Sequence, residues 1–276
     1  MKHFSRLVSG AVACVVVAGA TFVAADEATA APVPAHSAAV TQSVAASVSP
    51  AGAFVIALYT DFLNRQPSPS DISYWSAKLS QGSPRSVIAD GFADSDEFRM
   101  IRMTHAYQTV LGRGVDPSGA ASWLDAMHRG LITTDGIEKA LYDSDEFYND
   151  AAARNHANPN DGALIDDLYA SILGREVSGT EGFDWLNAEF GAEFRQNPMN
   201  PSAAYGRQWL IDQVYDSTEA SRGRVAIIYN QFLGRAADEG GLESWASFDL
   251  AYGDAAVRAG FTTSDEYYQR ASVRFS

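Results

Sequence analysis

Apolar residues recur along this chain at helical spacing, and they do so in the same phase four times. Counted from Tyr59, Tyr107, Tyr169 and Tyr229, the residues four and one before and three and four after are apolar. They are Val55, Leu58, Phe62 and Leu63, then Met103, Ala106, Val110 and Leu111, then Ile165, Leu168, Ile172 and Leu173, then Val225, Ile228, Phe232 and Leu233. Each set is one face of an amphipathic helix. The run stops at Asn64, Gly112, Gly174 or Gly234, residues that tolerate the left-handed backbone of a helix end. Arg65, Arg113, Arg175 and Arg235 follow directly.

A second helix is predicted three residues after each Arg. Ser68, Asp116, Ser178 and Asp238 are suited to cap it, because a short side-chain oxygen accepts from the orphan N–H groups of a first turn. Pro69 and Pro117 suit the first helical position, and Ser178 with Glu181 has the spacing of a capping box. Trp75, Trp123, Trp185 and Trp245 lie two turns in, each sixteen residues beyond its Tyr. A third helix is apolar at Ile88/Phe92, Ile137/Leu141, Leu210/Val214 and Val257/Phe261. It ends before Ser95, Ser144, Ser217 and Ser264, each the cap of a fourth segment whose first turn is acidic (Thr218-Glu219 in the third case) and complements the helix dipole. Phe98, Phe147 and Tyr267 then face the core, with Ala220 in the equivalent place. From Ser95 to Leu111 and from Ser217 to Leu233 this segment runs on into the next repeat.

The prediction is therefore an all-α protein, with four pseudo-repeats of about three helices each packed into one compact helical domain over residues 51–276. The units fall near 51–95, 96–154, 161–217 and 218–276. The third is longer: 32 residues separate Trp185 from Ser217, against about 20 elsewhere. Turn-forming residues from Asn155 to Gly162 suggest a hinge dividing 51–154 from 161–276. The 186–208 insertion and this turn are where irregular backbone on a rigid scaffold would carry binding.

The ends and the charge alter the picture. Lys2 and Arg6, the apolar run Leu7 to Val23 and Ala28-Thr29-Ala30 read as a secretory signal peptide over residues 1–30, with a membrane anchor as runner-up. Residues 31–50, rich in Ala, Ser and Pro, read as a flexible spacer. Cleavage removes Cys14, the only cysteine, so neither disulfides nor a catalytic thiol are available. It removes two cations and two anions, leaving the net charge of −14 unchanged. Such a charge argues against nucleic acid as a partner. No later segment is apolar enough to span a bilayer, so an extracellular place, at the cell surface or beyond it, is expected.

The run Leu-Tyr-x-x-Phe-Leu-x-Arg, a helix with Trp, and Ser-Asp-Glu-Phe resembles the domain of unknown function 4214 family, from about residue 53 to 270. The second and fourth units carry it best, with Leu-Gly-Arg-x-x-Asp at 111–116 and 233–238. The first departs at Ser68, and the third at Ser178 and its insertion. The resemblance implies an all-α fold similar to phycobilisome linker domains and a place in secreted or surface proteins of bacteria, beside glycan-acting or adhesive modules. It implies no catalytic residues.

Chemistry-bearing patterns are sparse. The Arg row is expected to complement helix ends and pair with the acids of the Ser-Asp-Glu turns rather than to form a ligand-binding row. The Trp set is expected in the core rather than as sugar platforms. No twelve-residue calcium loop, phosphate-binding loop, zincin motif or nucleophile elbow is present, so no catalytic, cofactor or metal residue is assigned and no cofactor is expected. The expected function is a secreted, non-catalytic module binding or scaffolding in the cell envelope or extracellular matrix, with a polysaccharide or surface protein as partner. The alternative is a secreted glycan-acting hydrolase or lyase with a carboxylate pair near residues 186–208. Self-assembly into a surface layer is a third reading.

Overall fold

All but one of the predicted helix caps are visible as hydrogen bonds in the computed structural model, which describes residues 48–156, 160–197 and 202–276. Ser68, Asp116 and Asp238 accept from the backbone of residues three further on and begin α2 (Pro69–Ser80), α5 (Pro117–His128) and α12 (Glu239–Tyr252). Ser95, Ser144, Ser217 and Ser264 do the same for α4 (Asp96–Leu111), α7 (Asp145–Arg154), α11 (Thr218–Ile228) and α14 (Asp265–Arg274). Each of these four serines also donates its hydroxyl to a carbonyl of the preceding helix, at 2.8, 2.6, 2.8 and 2.8 Å. One side chain thus closes one helix and opens the next. A cap of this kind contributes about 1 kcal/mol.

The remaining elements are α1 (Pro50–Leu63), α3 (Arg85–Ala93), α6 (Thr134–Tyr142), α8 (Asp161–Leu168), α9 (Glu181–Gln196), α10 (Ala203–Tyr215) and α13 (Asp254–Thr263). The fold is all-α; among the described residues there is no strand. Asn64, Gly112, Gly174 and Gly234 end their helices at φ 52, 65, 66 and 66°. Only the first two of these helices stay α-helical to the end. Tyr169–Leu173 and Tyr229–Leu233 continue α8 and α11 as π-turns.

Two expectations are corrected. Ser178 does not cap α9, whose cap position is Thr180. Gly179, at φ 57°, inserts a turn, and Glu181 instead reaches back to accept from the Ser178 N–H at 3.0 Å. The hinge at 155–162 does not divide the packing. One apolar core joins α1, α3, α11, α13 and α14, and the other joins α4 to α8 with α10. The first repeat therefore packs on the fourth and the second on the third, so the second core spans the supposed hinge. Helix α4 links them, with Phe98 in one core and Met103, Ala106 and Val110 in the other. In the first core Phe62 meets Phe98 and Phe232 edge-on at 5.1 and 5.3 Å, and burying each ring contributes on the order of 2–3 kcal/mol.

The insertion lengthens regular structure on both sides of it. Helix α9 has 16 residues against 12, 12 and 14 in α2, α5 and α12. Helix α10 has 13, against 9, 9 and 10 in α3, α6 and α13. The signal segment and most of the spacer lie outside the described residues.

Candidate functional site

The four Arg are consumed by one repeated clamp. Each guanidinium makes a two-pronged ion pair with the Glu of a Ser-led turn: Arg65 with Glu97 (2.5 and 2.9 Å) and Arg113 with Glu146 (2.6 and 2.7 Å). Arg175 pairs likewise with Glu219 (2.6 and 3.0 Å) and Arg235 with Glu266 (2.5 and 2.9 Å). The same cations lie over the rings of Tyr59, Tyr107, Tyr169 and Tyr229 at 4.6, 5.1, 4.7 and 5.3 Å. Hydrogen bonding to Arg holds all four glutamates below their ordinary pKa. Trp75, Trp123, Trp185 and Trp245 are half-buried against the two cores, and Trp123 and Trp185 donate to the Tyr107 and Tyr169 hydroxyls at 3.0 and 2.5 Å. These residues organise the scaffold and leave few groups for a ligand.

A concave feature lies between the two cores. A cleft of about 490 Å³ is lined by the end of α1, by α4, α6, α11 and α13, and by the π-turn after α8. That volume falls in the range of small-molecule sites. Phe62, Ile101, Ile172 and Ile227 supply apolar wall, and Arg102, His105, Glu138, Asp254 and Arg258 supply the polar side. Asp254 and Arg258, four apart on α13, are buried and ion-paired. Arg258 also donates to Gln231 Oε1 at 2.8 Å, and Arg102 lies 2.8 Å from Asp254 Oδ2. Burial works to raise the Asp254 pKa, but Arg102 and Arg258 hold it below the carboxylate range. The Tyr215 hydroxyl donates to Glu138 at 2.9 Å. Buried charge here is neutralised in place, as it must be to persist away from water.

A second cavity, of about 570 Å³, shares Tyr215 and Arg224 with the cleft as lining residues. Arg224 is committed to Asp249 and to the Tyr215 carbonyl. Asp135, in the second cavity, accepts the Asp254 N–H at 3.0 Å. Burial and then the charge of Asp254 raise its pKa.

Near the 186–208 insertion, Glu189 is buried with Oε1 unbonded. Burial, then Asp161 and Glu193, push its pKa up to about 7, against the pull of Arg207. No set of three or more His, Asp or Glu among the described residues is placed to hold a metal.

Sequence reasoning missed the cleft. Arg102, His105, Glu138, Asp254 and Arg258 belong to none of the repeated positions. The i,i+4 spacing of Asp254 and Arg258 was the one available signal, and such pairs usually mark a solvated helix face.

The arrangement is that of an all-α repeat scaffold with a charged cleft between two cores. The family model described as a domain of unknown function (DUF4214) matches residues 33–101 and 103–151, and over this stretch the chain is similar to that family. The match begins inside the segment read as spacer. No curated protein and no solved structure matches the chain.

Proposed function

We propose that the protein is an exported, non-catalytic helical module of the cell envelope or extracellular matrix, and that it receives its glycan or surface-protein ligand in the cleft between the two cores. The cleft itself carries this reading. Apolar wall and hydrogen-bonding groups converge there, and the side chains are pre-ordered by internal ion pairs, which lowers the entropy lost on binding. The signal-like N-terminus supports export. The carboxylates of the cleft support binding over catalysis, since Asp254 and Glu138 are engaged by Arg102, Arg258 and Tyr215.

Co-sedimentation with envelope material, with the supernatant assayed for released sugar, tests the proposal. Pelleting without release is expected. Gly223 lines the cleft on α11 with open space around its Cα, so Gly223→Trp should plug the cleft and abolish pelleting. Pelleting unchanged by the plug would sink the assignment of the site.

One observation favours the glycan-acting alternative. Glu189, raised to about 7 beside Asp161 and Glu193, has the protonation behaviour of a general acid. Sugar release abolished by Glu189→Gln would establish that reading in place of the first.

A further inference from the structure

Helix α4 presents Phe98, Ile101, Arg102, His105 and Thr109 to the cleft, a stripe at helical spacing. Arg102 differs from the other two cleft arginines. Arg258 is hydrogen-bonded to Asp254 and Gln231, and Arg224 to Asp249 and a carbonyl. The Arg102 guanidinium touches only carboxylates, through Nη2, at 2.8 Å from Asp254 and 3.9 Å from Glu138. Among the described residues it donates no well-aligned hydrogen bond, and none of its nitrogens is among the buried, unpartnered atoms. Its Nε and Nη1 donors therefore keep some access to solvent, on a side chain that lines the cleft and is 14% exposed. One turn along, His105 Nδ1 lies 3.4 Å from Thr109 Oγ1, leaving Nε2 without a partner.

We propose that the cleft binds a ligand bearing a single carboxylate on an apolar body, with the carboxylate seated on the free edge of the Arg102 guanidinium beside His105. This rests on the reading of the cleft as the ligand site and names the ligand's chemistry. A planar carboxylate matches two parallel guanidinium N–H donors. The apolar body fits against Phe62, Ile101, Ile172 and Ile227. A dianion is disfavoured, because Glu138 and Asp254 already lie within 4.0 Å of the same cation. Three guanidiniums (Arg102, Arg224, Arg258) and three carboxylates (Asp61, Glu138, Asp254) line the cleft, so an anion is admitted only where a guanidinium keeps unengaged donors, as Arg102 does.

His105 supplies an independent readout. Burial, then Arg102, and less strongly Arg258, lower its pKa, while Glu138 and Asp254 pull it up. A carboxylate arriving beside the ring favours imidazolium, so binding near neutral pH takes up a proton.

Titration calorimetry of the purified protein tests this, with decanoate, decanol, an acetylated peptide ending in leucine, its C-terminal amide, glucuronate and phenyl phosphate as probes. The two apolar acids should bind, at about tenfold or more the affinity of the alcohol and amide. Repeating the titration in buffers of different ionisation enthalpy should show proton uptake in the wild type and none in His105→Gln. Gly223→Trp should remove binding without lowering the unfolding midpoint. Decanoate binding more tightly would identify a free acid as the source, and the peptide binding more tightly a chain terminus. Equal affinity for acid and amide, tighter glucuronate or phosphate, or no binding at all would overturn the proposal. Envelope pelleting that remains sensitive to the Gly223→Trp plug while no carboxylate binds would overturn it too, and would leave the binding-module reading standing.

Discussion

Asp135 caps a helix to which it does not belong: its Oδ2 accepts the N–H of Asp254, the first residue of α13, at 3.0 Å. The cap position of α13 is Gly253, which has no side chain to offer and sits at φ 83°. A Cβ on Gly253 would lie 2.6 Å from that Asp135 oxygen. Glycine thus lets a carboxylate from α6, in the second core, complete the N-terminus of a helix in the first.

Gly253→Ala should therefore cost more than backbone strain alone. Strain at positive φ costs about 1 kcal/mol, and displacing the Asp135 cap about another 1 kcal/mol. A loss of about 2 kcal/mol is expected in urea unfolding. If Asp135 binds the two cores together, fluorescence and circular dichroism should cease to give coincident transitions in this variant. A loss below about 0.5 kcal/mol would mean that the trans cap contributes nothing.

Two glycines with the same backbone should respond differently to the same change. Gly112 and Gly234 stand at φ 65 and 66°, but a Cβ on Gly112 meets nothing within 4 Å. On Gly234 it would lie 2.7 Å from Nη2 of Arg270, which donates through Nη1 to the Phe232 carbonyl at the end of the π-turn. Gly112→Ala should cost about 1 kcal/mol. Gly234→Ala should cost about 1 kcal/mol more, because Arg270 must move and the carbonyl loses its donor. Removing the clash with Arg270→Ala should make the further loss on adding Gly234→Ala equal to that of Gly112→Ala; a persisting difference would place its cause elsewhere.

Local punctuation of this fold was legible and its pairing was not. Caps at Ser95, Ser144, Ser217 and Ser264 follow from what a hydroxyl next to an acidic first turn does, so neighbouring residues suffice to find them. Ser178 misled because Gly179 takes positive φ and adds a turn, something the Ser178–Glu181 spacing does not reveal. The π-turns at Tyr169 and Tyr229 have no marker, since their apolar phase matches that of the α-helical Tyr59 and Tyr107 turns. Four similar apolar faces pair equally well in several orders, so the packing of first on fourth and second on third was hidden. The cleft arises from that pairing. Arg102 and Asp254 are 152 residues apart and meet only once it is made.

Two helix glycines offer stabilising changes. Gly91 in α3 and Gly223 in α11 are helical, and a methyl group on either would meet no atom within 4 Å. Alanine at each should raise stability by about 0.5–1 kcal/mol through reduced freedom of the unfolded chain and better helix propensity. Only Gly223 lines the cleft, so Gly223→Ala should alter ligand affinity where Gly91→Ala does not. Thermal unfolding and binding measured on the same samples would separate the two effects.

The raised carboxylates predict an acid-shifted stability optimum. Burial first pushes Glu189 up to about 7 and Asp143 up to about 6, while the unfolded chain titrates them near about 4. Between those values the folded state holds more protons than the unfolded, so stability falls as pH rises from about 4.5 to about 7 and then levels. The clamp glutamates act in the opposite sense. Glu97, Glu146, Glu219 and Glu266 are held low by their arginines, so their contribution is present above about pH 4.5 and lost as pH falls below it. The two slopes meet near about pH 5, where the urea midpoint should be highest. Glu189→Gln removes one buried charge without changing its shape. It should gain about 1–2 kcal/mol at pH 8, gain nothing at pH 4.5, and flatten the decline between them. A parallel profile in the variant would show that Glu189 titrates as an ordinary surface acid, and the argument for it as a general acid would fall with that result.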